Sequence, residues 1–396
     1  MPSSGSALAC DASHAPALRD FRDCLAQMGY SPSGLVSLLG LKQEGRLYPL
    51  EYRELPRYAS ILEQTATPLA SMAQLLALGI PVDRAAAERG LGPRNLGLLD
   101  ELGLCSVDGE TVHANFSLLP FGDLMIATDR IFPNVDGNRR DASLSSDNLV
   151  WRLDQTSWIM ARHLIRQPAR EALDLGCGSG LQALLMSGWA DNVTGVDINP
   201  RAVGLANFNA RLNGIGNVQF FGGDLFQPVN GRRFGQIVSN PPSAPGLVRA
   251  WNREGGATGR EVVESIIDGL GSHLETGGIF QSTLHLGYRK EDDIAKWLEA
   301  RLPRDEYRCL VLKHRSEEEA DDYCLREAYQ KAGPRDYEIF RRTFGTYRDN
   351  LGRAGIERIA FGVVAARRAA GGGPPEIRTD DLQVGKSPDW LKVLIS

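Results

Sequence analysis

The chain has 396 residues, 42% of them apolar and 23% charged, with a formal net charge of −5, and its length suits two domains better than one core. No run approaches the roughly 18 uninterrupted apolar residues of a membrane span, so a membrane protein is excluded. The acidic balance leaves no electrostatic footprint for nucleic acid and so argues against such a partner on sequence grounds. The six cysteines and six histidines are scattered without metal-ligand spacing, so neither a metal site nor a disulfide framework is expected.

Residues 1–15 are small and polar, without the basic start and apolar core of a secretory signal, and read as a disordered leader on a cytoplasmic protein. Phe21, Cys24, Leu25 and Met28 recur at helical spacing, and Leu35, Leu38 and Leu39 follow after a break at 31–34. Three helices are expected over 69–78, 81–88 and 93–102, stopped by Gly79, Gly90 and Gly103. A hairpin with Asp108-Gly109 at its turn follows over 107–112. Residues 16–147 therefore read as a mostly helical, winged-helix-like domain. Arg94 is the only cation of its third helix and Asp100 and Glu101 oppose it, so a homodimerisation module or a cover for the substrate is expected ahead of DNA contact. The stretch 116–147, with Pro120, Pro133 and Arg139-Arg140, reads as an irregular linker, and a helix over 149–166 leads out of it.

From Ala172 the pattern alternates strand and helix. Strands are expected at 172–175, 193–196, 218–221, 236–239 and 278–282, then 307–312 and 359–364, the last two as a hairpin edge. Asn199-Pro200 is a helix start, with Asn as cap and Pro in the first turn. The fold class is α/β, a parallel sheet covered on both faces. Gly371-Gly372-Gly373-Pro374-Pro375 marks a flexible tail over 369–396.

The chemistry centres on Glu171-Ala172-Leu173-Asp174-Leu175-Gly176-Cys177-Gly178-Ser179-Gly180, a buried strand running into three alternating glycines and a helix. Its spacing departs from the dinucleotide fingerprint G-x-G-x-x-G. Asp174, Asp197, Asp224 and Asn240 fall at the carboxyl ends of four successive strands, where open parallel sheets bind ligands. This ordered set resembles the motifs of class I S-adenosylmethionine-dependent methyltransferases, over residues 150–368. The resemblance implies a seven-stranded Rossmann-like methyltransferase domain over 148–368 with S-adenosylmethionine as cofactor. In that reading Gly176, Gly178 and Gly180 seat the methionine part and Asp174 takes its ammonium. Asp197 accepts from the ribose hydroxyls, while Asp224 and Leu225 meet the adenine.

Ser239-Asn240-Pro241-Pro242-Ser243 is similar to the Asn-Pro-Pro-aromatic motif of methyltransferases acting on nucleobase amines and glutamine amides. The resemblance gives Asn240 and the Pro241 carbonyl the task of orienting the acceptor nitrogen. Ser243 stands where an aromatic residue is usual, and a hydroxymethyl group cannot supply the stack worth about 1 to 3 kcal/mol to a base. Arg249, Trp251 and Arg253 follow in a loop that resembles the substrate loop of glutamine amide methyltransferases; the arginines suit a carboxylate. A small, amino-acid-like or specialised-metabolite acceptor methylated at nitrogen, with sulfur or oxygen left open, is expected first. A protein glutamine amide or an RNA amine is expected second, and a regulator that only senses S-adenosylmethionine third. His285 is the candidate base should the acceptor be a hydroxyl.

Overall fold

The computed structural model describes residues 10–48, 50–51, 54–130, 149–245, 255–289, 294–332, 337–369, 375–380 and 382. The chain divides into two compact units, Met1–Trp158 with Cys177–Leu184 and Asn199–Phe220, and Ile159–Gly176 with Leu185–Ile198 and Phe221–Ser396. No helix among the described residues is long and apolar enough to cross a membrane.

The elements begin with α1 (Ala15–Gln27), α2 (Pro32–Leu38), α3 (Leu55–Glu63) and α4 (Pro68–Met72), which continues as a π-helical turn to Leu78 and stops at Gly79. Next come β1 (Val82–Asp83), α5 (Arg84–Glu101), β2 (Cys105–Asp108) and β3 (Thr111–Ala114), whose strands form an antiparallel sheet in the order β1-β3-β2. The two helices expected over 81–88 and 93–102 are both present within α5, separated at Gly92, whose φ of 74° and ψ of 157° are not helical; the first runs on past Gly90 and the second starts at Pro93 as expected. Pro93 has no N–H to continue the ladder, so the break comes just before it. Gly90 instead lets the Met72 side chain approach within 3.2 Å of where a Cβ would stand.

The expected linker contains a β-hairpin, β4 (Phe116–Phe121) and β5 (Leu124–Asp129). The expected helix over 149–166 is only α6 (Gln155–His163), because Asp154 accepts from the Ser157 N–H at 3.0 Å and starts the helix there. There follow β6 (Ala169–Leu175), α7 (Leu181–Met186), β7 (Ala190–Asp197), α8 (Pro200–Leu212), β8 (Val218–Gly222), β9 (Phe234–Ser239), α9 (Glu261–His273), β10 (Leu274–Tyr288), α10 (Ile294–Glu299), β11 (Tyr307–Glu319), α11 (Ala320–Ala332), α12 (Tyr337–Ala354), β12 (Arg358–Arg368) and β13 (Glu376–Asp380).

The large sheet runs β13-β11-β12-β10-β9-β6-β7-β8. The seven expected strands are all present, and an eighth, β13, lies in the stretch expected as a loose tail, parallel to β11. It displaces the expected hairpin from the edge: β12 lies between β10 and β11, antiparallel to both. Within the second unit, α9 buries Val262, Val263, Ile266, Ile267 and Leu270 against Leu173, Ile237, Phe280, Val311 and Val364 of the strands. The central strands are apolar on both faces, as strands buried under helices must be.

Within the first unit, the β4–β5 hairpin is held by side chains on both sides. Asn209 of α8 accepts from the Ala127 N–H and donates to the Ala127 carbonyl, both at 2.9 Å. Asn213, at the end of α8, does the same to Met125 at 2.8 Å. Four residues of helix rise about 6.0 Å and two residues of strand about 6.8 Å, so the two amides match alternate residues of β5. On the β4 side the Tyr30 hydroxyl donates to the Leu118 carbonyl at 2.6 Å, and the Tyr48 hydroxyl donates to the Pro120 carbonyl. Met125, turned toward Asn213, is the register partner of Pro120. That pair makes no ladder bonds, so the missing proline N–H costs nothing there. Asn209 also donates to the Ser179 carbonyl at 2.9 Å, so replacing it with Ala takes a partner from three backbone groups and is expected to destabilise the chain by about 2 to 4 kcal/mol, read from the urea-unfolding midpoint.

Candidate functional site

The strands that carry the site run to their carboxyl ends beside one another in the large sheet. Leu175 of β6 pairs with Ser239 of β9, and the Ser239 hydroxyl donates to the Leu175 carbonyl at 2.7 Å. This clasp fixes Asp174 next to the start of the Asn-Pro-Pro segment. Asp174 is 1% exposed. Beyond it the chain turns on Gly176, Gly178 and Gly180, with φ of 69°, 52° and 83°. A Cβ on Gly180 would also lie 3.0 Å from the Ala206 Cβ and the Phe220 ring, so that position excludes every other residue twice, by conformation and by space.

Asp197 ends β7, half-buried, and its carbonyl accepts from the Gly223 N–H at 3.0 Å. That bond brings Gly223-Asp224-Leu225 beside the end of β7. Leu225 has φ of 47° and is the one non-glycine residue with positive φ among the described residues. Its neighbour Phe226 is anchored, stacked on His273 with ring centroids 4.3 Å apart and lying over Gly269, where a Cβ would stand 2.4 Å from the ring. Such strain persists only where the surroundings over-determine it, and it clusters at ligand sites.

The Asn240–Ser243 segment is held at both ends by one strand. β10 reaches six residues past Ser282, its last register partner in β9. In that extension Thr283 Oγ1 donates to Asn240 Oδ1 at 2.5 Å, and Ser243 Oγ lies 2.9 Å from His285 Nδ1. Thr283 and His285 are two apart and share a face of the strand. Ser243 is 5% exposed, and His285 meets Phe361 edge-on at 5.2 Å. Pro241 is buried.

Arg249, Trp251 and Arg253 lie outside the described residues. The chain on either side of them is placed: the Gly255 N–H donates to the Ala244 carbonyl at 3.0 Å, and the Tyr323 hydroxyl donates to the Pro245 carbonyl at 2.7 Å. Gly255 and Gly259 press directly on the backbone of 242–245. Sequence reasoning missed both contacts and the role of Thr283; the only signal was the density of glycine after the Asn-Pro-Pro segment.

Residues 149–299 match the family described as the Methyltransferase small domain. A protein of Methanocaldococcus jannaschii with the provisional name protein N5-glutamine methyltransferase is 34% identical over 140 residues, spanning 33% of this chain and 70% of that protein. The chain belongs to the methyltransferase small-domain family. As a methyltransferase of this family it is an enzyme with a Rossmann-like fold and S-adenosylmethionine as its cofactor. It is also 33% identical over 147 residues to the release factor glutamine methyltransferase of Geobacter sulfurreducens, covering 33% of this chain and 51% of that one. The ribosomal RNA small subunit methyltransferase C of Alcanivorax borkumensis is 27% identical over 152 residues, covering 37% and 42%. The methyltransferase thus spans about half the length of these last two relatives. Their names point to macromolecular acceptors, the class expected second from sequence, and give no support to a small-molecule acceptor or to setting nucleic acid aside.

Proposed function

We propose that this methyltransferase transfers the methyl group of S-adenosylmethionine to the side-chain amide nitrogen of a glutamine in a protein. The observation that carries the choice is Ser243: buried and tied to His285, it offers no platform on which a base could stack. An aliphatic amide needs none, whereas a flipped base loses about 1 to 3 kcal/mol without one. The glutamine-directed relatives support the same reading.

In this reading Gly176, Gly178 and Gly180 leave room for the methionine part of the cofactor, and Asp174 faces its ammonium. Asp197 accepts from the ribose hydroxyls, while Asp224 and the turned backbone of Leu225 take the adenine. The residues present fit such a ligand: carboxylates stand where a cation and a diol are to be met, and a strained backbone turn marks the base position. S-adenosylmethionine supplies a methyl group already activated on a sulfonium. Asn240 Oδ1 and the Pro241 carbonyl accept the two amide N–H bonds of glutamine and aim its nitrogen. A carbonyl oxygen accepts two hydrogen bonds, so the bond from Thr283 is compatible with one from the acceptor. The carbon–sulfur bond breaks as the carbon–nitrogen bond forms, and the nitrogen releases one proton. Alignment alone supplies effective molarities of roughly 10⁵ to 10⁸ M in such reactions.

Incubation with release factor and labelled S-adenosylmethionine, followed by peptide mass spectrometry, is expected to place the methyl on a glutamine; label in ribosomal RNA instead would sink the proposal. Asp197→Ala is expected to weaken cofactor binding about 10- to 100-fold by calorimetry, the loss of hydrogen bonds to a charged group; unchanged affinity would remove Asp197 from the ribose site. Residues 16–147 we read as a winged-helix-like module that serves homodimerisation or covers the acceptor in preference to DNA contact, a reading supported by the pairing of Arg94 with Asp20 at 3.3 Å.

A further inference from the structure

The helical pair α11 and α12 is inserted between β11 and β12, strands that are otherwise neighbours in the sheet. β11 and β10 are both antiparallel to β12, so they run the same way, and Arg358 of β12 is the register partner of both Glu319 and Tyr288. The insertion therefore leaves the sheet at the edge where β9 delivers Asn240 and β10 delivers Thr283 and His285. It is tied to both flanks of the stretch that follows Asn-Pro-Pro. Tyr323 donates to the Pro245 carbonyl at 2.7 Å, and Asn350 Nδ2 donates to the Ala257 carbonyl at 3.4 Å.

The inner side of the pair has its own small core of Tyr323, Cys324, Tyr347 and Leu351 with Ile356 and Ile359. The outer side is apolar where solvent is met. Leu325 and Tyr329, one turn apart on α11, are 44% and 55% exposed, and Ile339 on the first turn of α12 is 40% exposed, while Tyr337, 69% exposed, continues the stripe of Phe344 and Leu351 beyond the inner core. The other large exposed apolar residues among those described are only Trp151, Ile198 and Phe221, so this surface concentrates them. Patches of this kind mark protein contacts. The charges decide between partner classes. The two helices carry five carboxylates and six cations, and three of the arginines face acids: Arg341 with Glu338, Arg348 with Asp321, and Arg326 with Glu318 and Glu327. A surface for phosphates needs a marked excess of cations; here six cations face five carboxylates, and three of the six are already held by acids.

We propose that the exposed side of the α11–α12 pair is the docking surface for the folded protein that carries the acceptor glutamine, and that docking there brings the glutamine to Asn240. This rests on the glutamine reading above. The test uses the full chain, S-adenosylmethionine, and two acceptors in parallel: intact release factor and a short synthetic peptide containing its glutamine. With Leu325→Glu and Tyr329→Glu together, KM for the intact protein is expected to rise about tenfold or more, as for loss of an interface anchor. Its kcat at saturation, the cofactor affinity by calorimetry and the rate with the peptide are expected to stay as in the parent chain. An unchanged KM for release factor, or an equal loss with the peptide, overturns the docking surface and leaves the acceptor reading standing. A parent chain that methylates neither acceptor, or that labels RNA, overturns the acceptor reading and the docking surface with it.

Discussion

Asn240→Ala is expected to lower kcat by about 10²- to 10³-fold while S-adenosylmethionine binds almost as before, the loss typical of removing one group that meets the reacting centre. Asn240 stands at the end of β9, and its amide oxygen is fixed by the Thr283 hydroxyl, so its own environment is set before any acceptor arrives. In the proposed reading, removing the amide takes away one of two acceptors for the substrate N–H bonds and leaves the Pro241 carbonyl alone. The cofactor side of the site is supported separately, by the Ser239–Leu175 clasp and the Gly223–Asp197 bond. Calorimetry with S-adenosylmethionine beside a turnover assay separates the two effects; an equal loss of both would refute the acceptor role. Thr283→Val, which keeps the shape but not the hydroxyl, should fall in the same direction with a smaller loss.

Gly259→Ala is expected to reduce kcat/KM by about 100-fold or more and to destabilise the chain by about 2 to 3 kcal/mol. A Cβ there would stand 2.2 Å from the Ser243 carbonyl oxygen and 2.8 Å from the Pro245 nitrogen, on a residue with φ of 78°. Backbone cannot yield as a side chain can, so Ser243 must leave His285 and the acceptor segment must move with it. Gly271→Ala is the control. It lies in α9 with nothing within 4 Å of the new Cβ, and an alanine in a helix is expected to add about 0.5 to 1 kcal/mol. Thermal midpoints and initial rates of the two variants should therefore diverge in opposite directions. A Gly259→Ala chain with parental activity would show that the 255–259 stretch does not shape the site.

The alternation of apolar runs with helical patterns made β6 through β10 legible, because strands buried on both faces carry their signature locally. The strand-end acids and Asn240 were legible for the same reason: their position follows from where each apolar run stops. What the sequence hid was decided by partners far away in the chain. Pro120 reads as a breaker, yet it sits at a strand position whose N–H would face away from β5, a fact set by Asn213. Gly90 and Gly92 look alike as helix stops, and only the proline after Gly92 makes it the break. β13 is short and follows a glycine-proline stretch, so nothing in its own residues tells that β11 needs a neighbour. Ser243 could be seen to lack an aromatic ring, but its turn toward His285 depends on the length of β10, which antiparallel pairing with β12 extends.

The β4–β5 ribbon has a further consequence. A two-stranded ribbon ordinarily offers two rows of open backbone groups, a template on which a strand of another molecule can add itself. Here the carbonyls of Leu118 and Pro120 are taken by tyrosine hydroxyls, and the backbone of Met125 and Ala127 by asparagine amides. These side chains stand in for the missing strands. The ribbon is thereby closed against growth: four polar side chains keep a fully apolar stretch of β4 from seeding intermolecular sheet, without proline-rich edges, added charge or a longer sheet to do so.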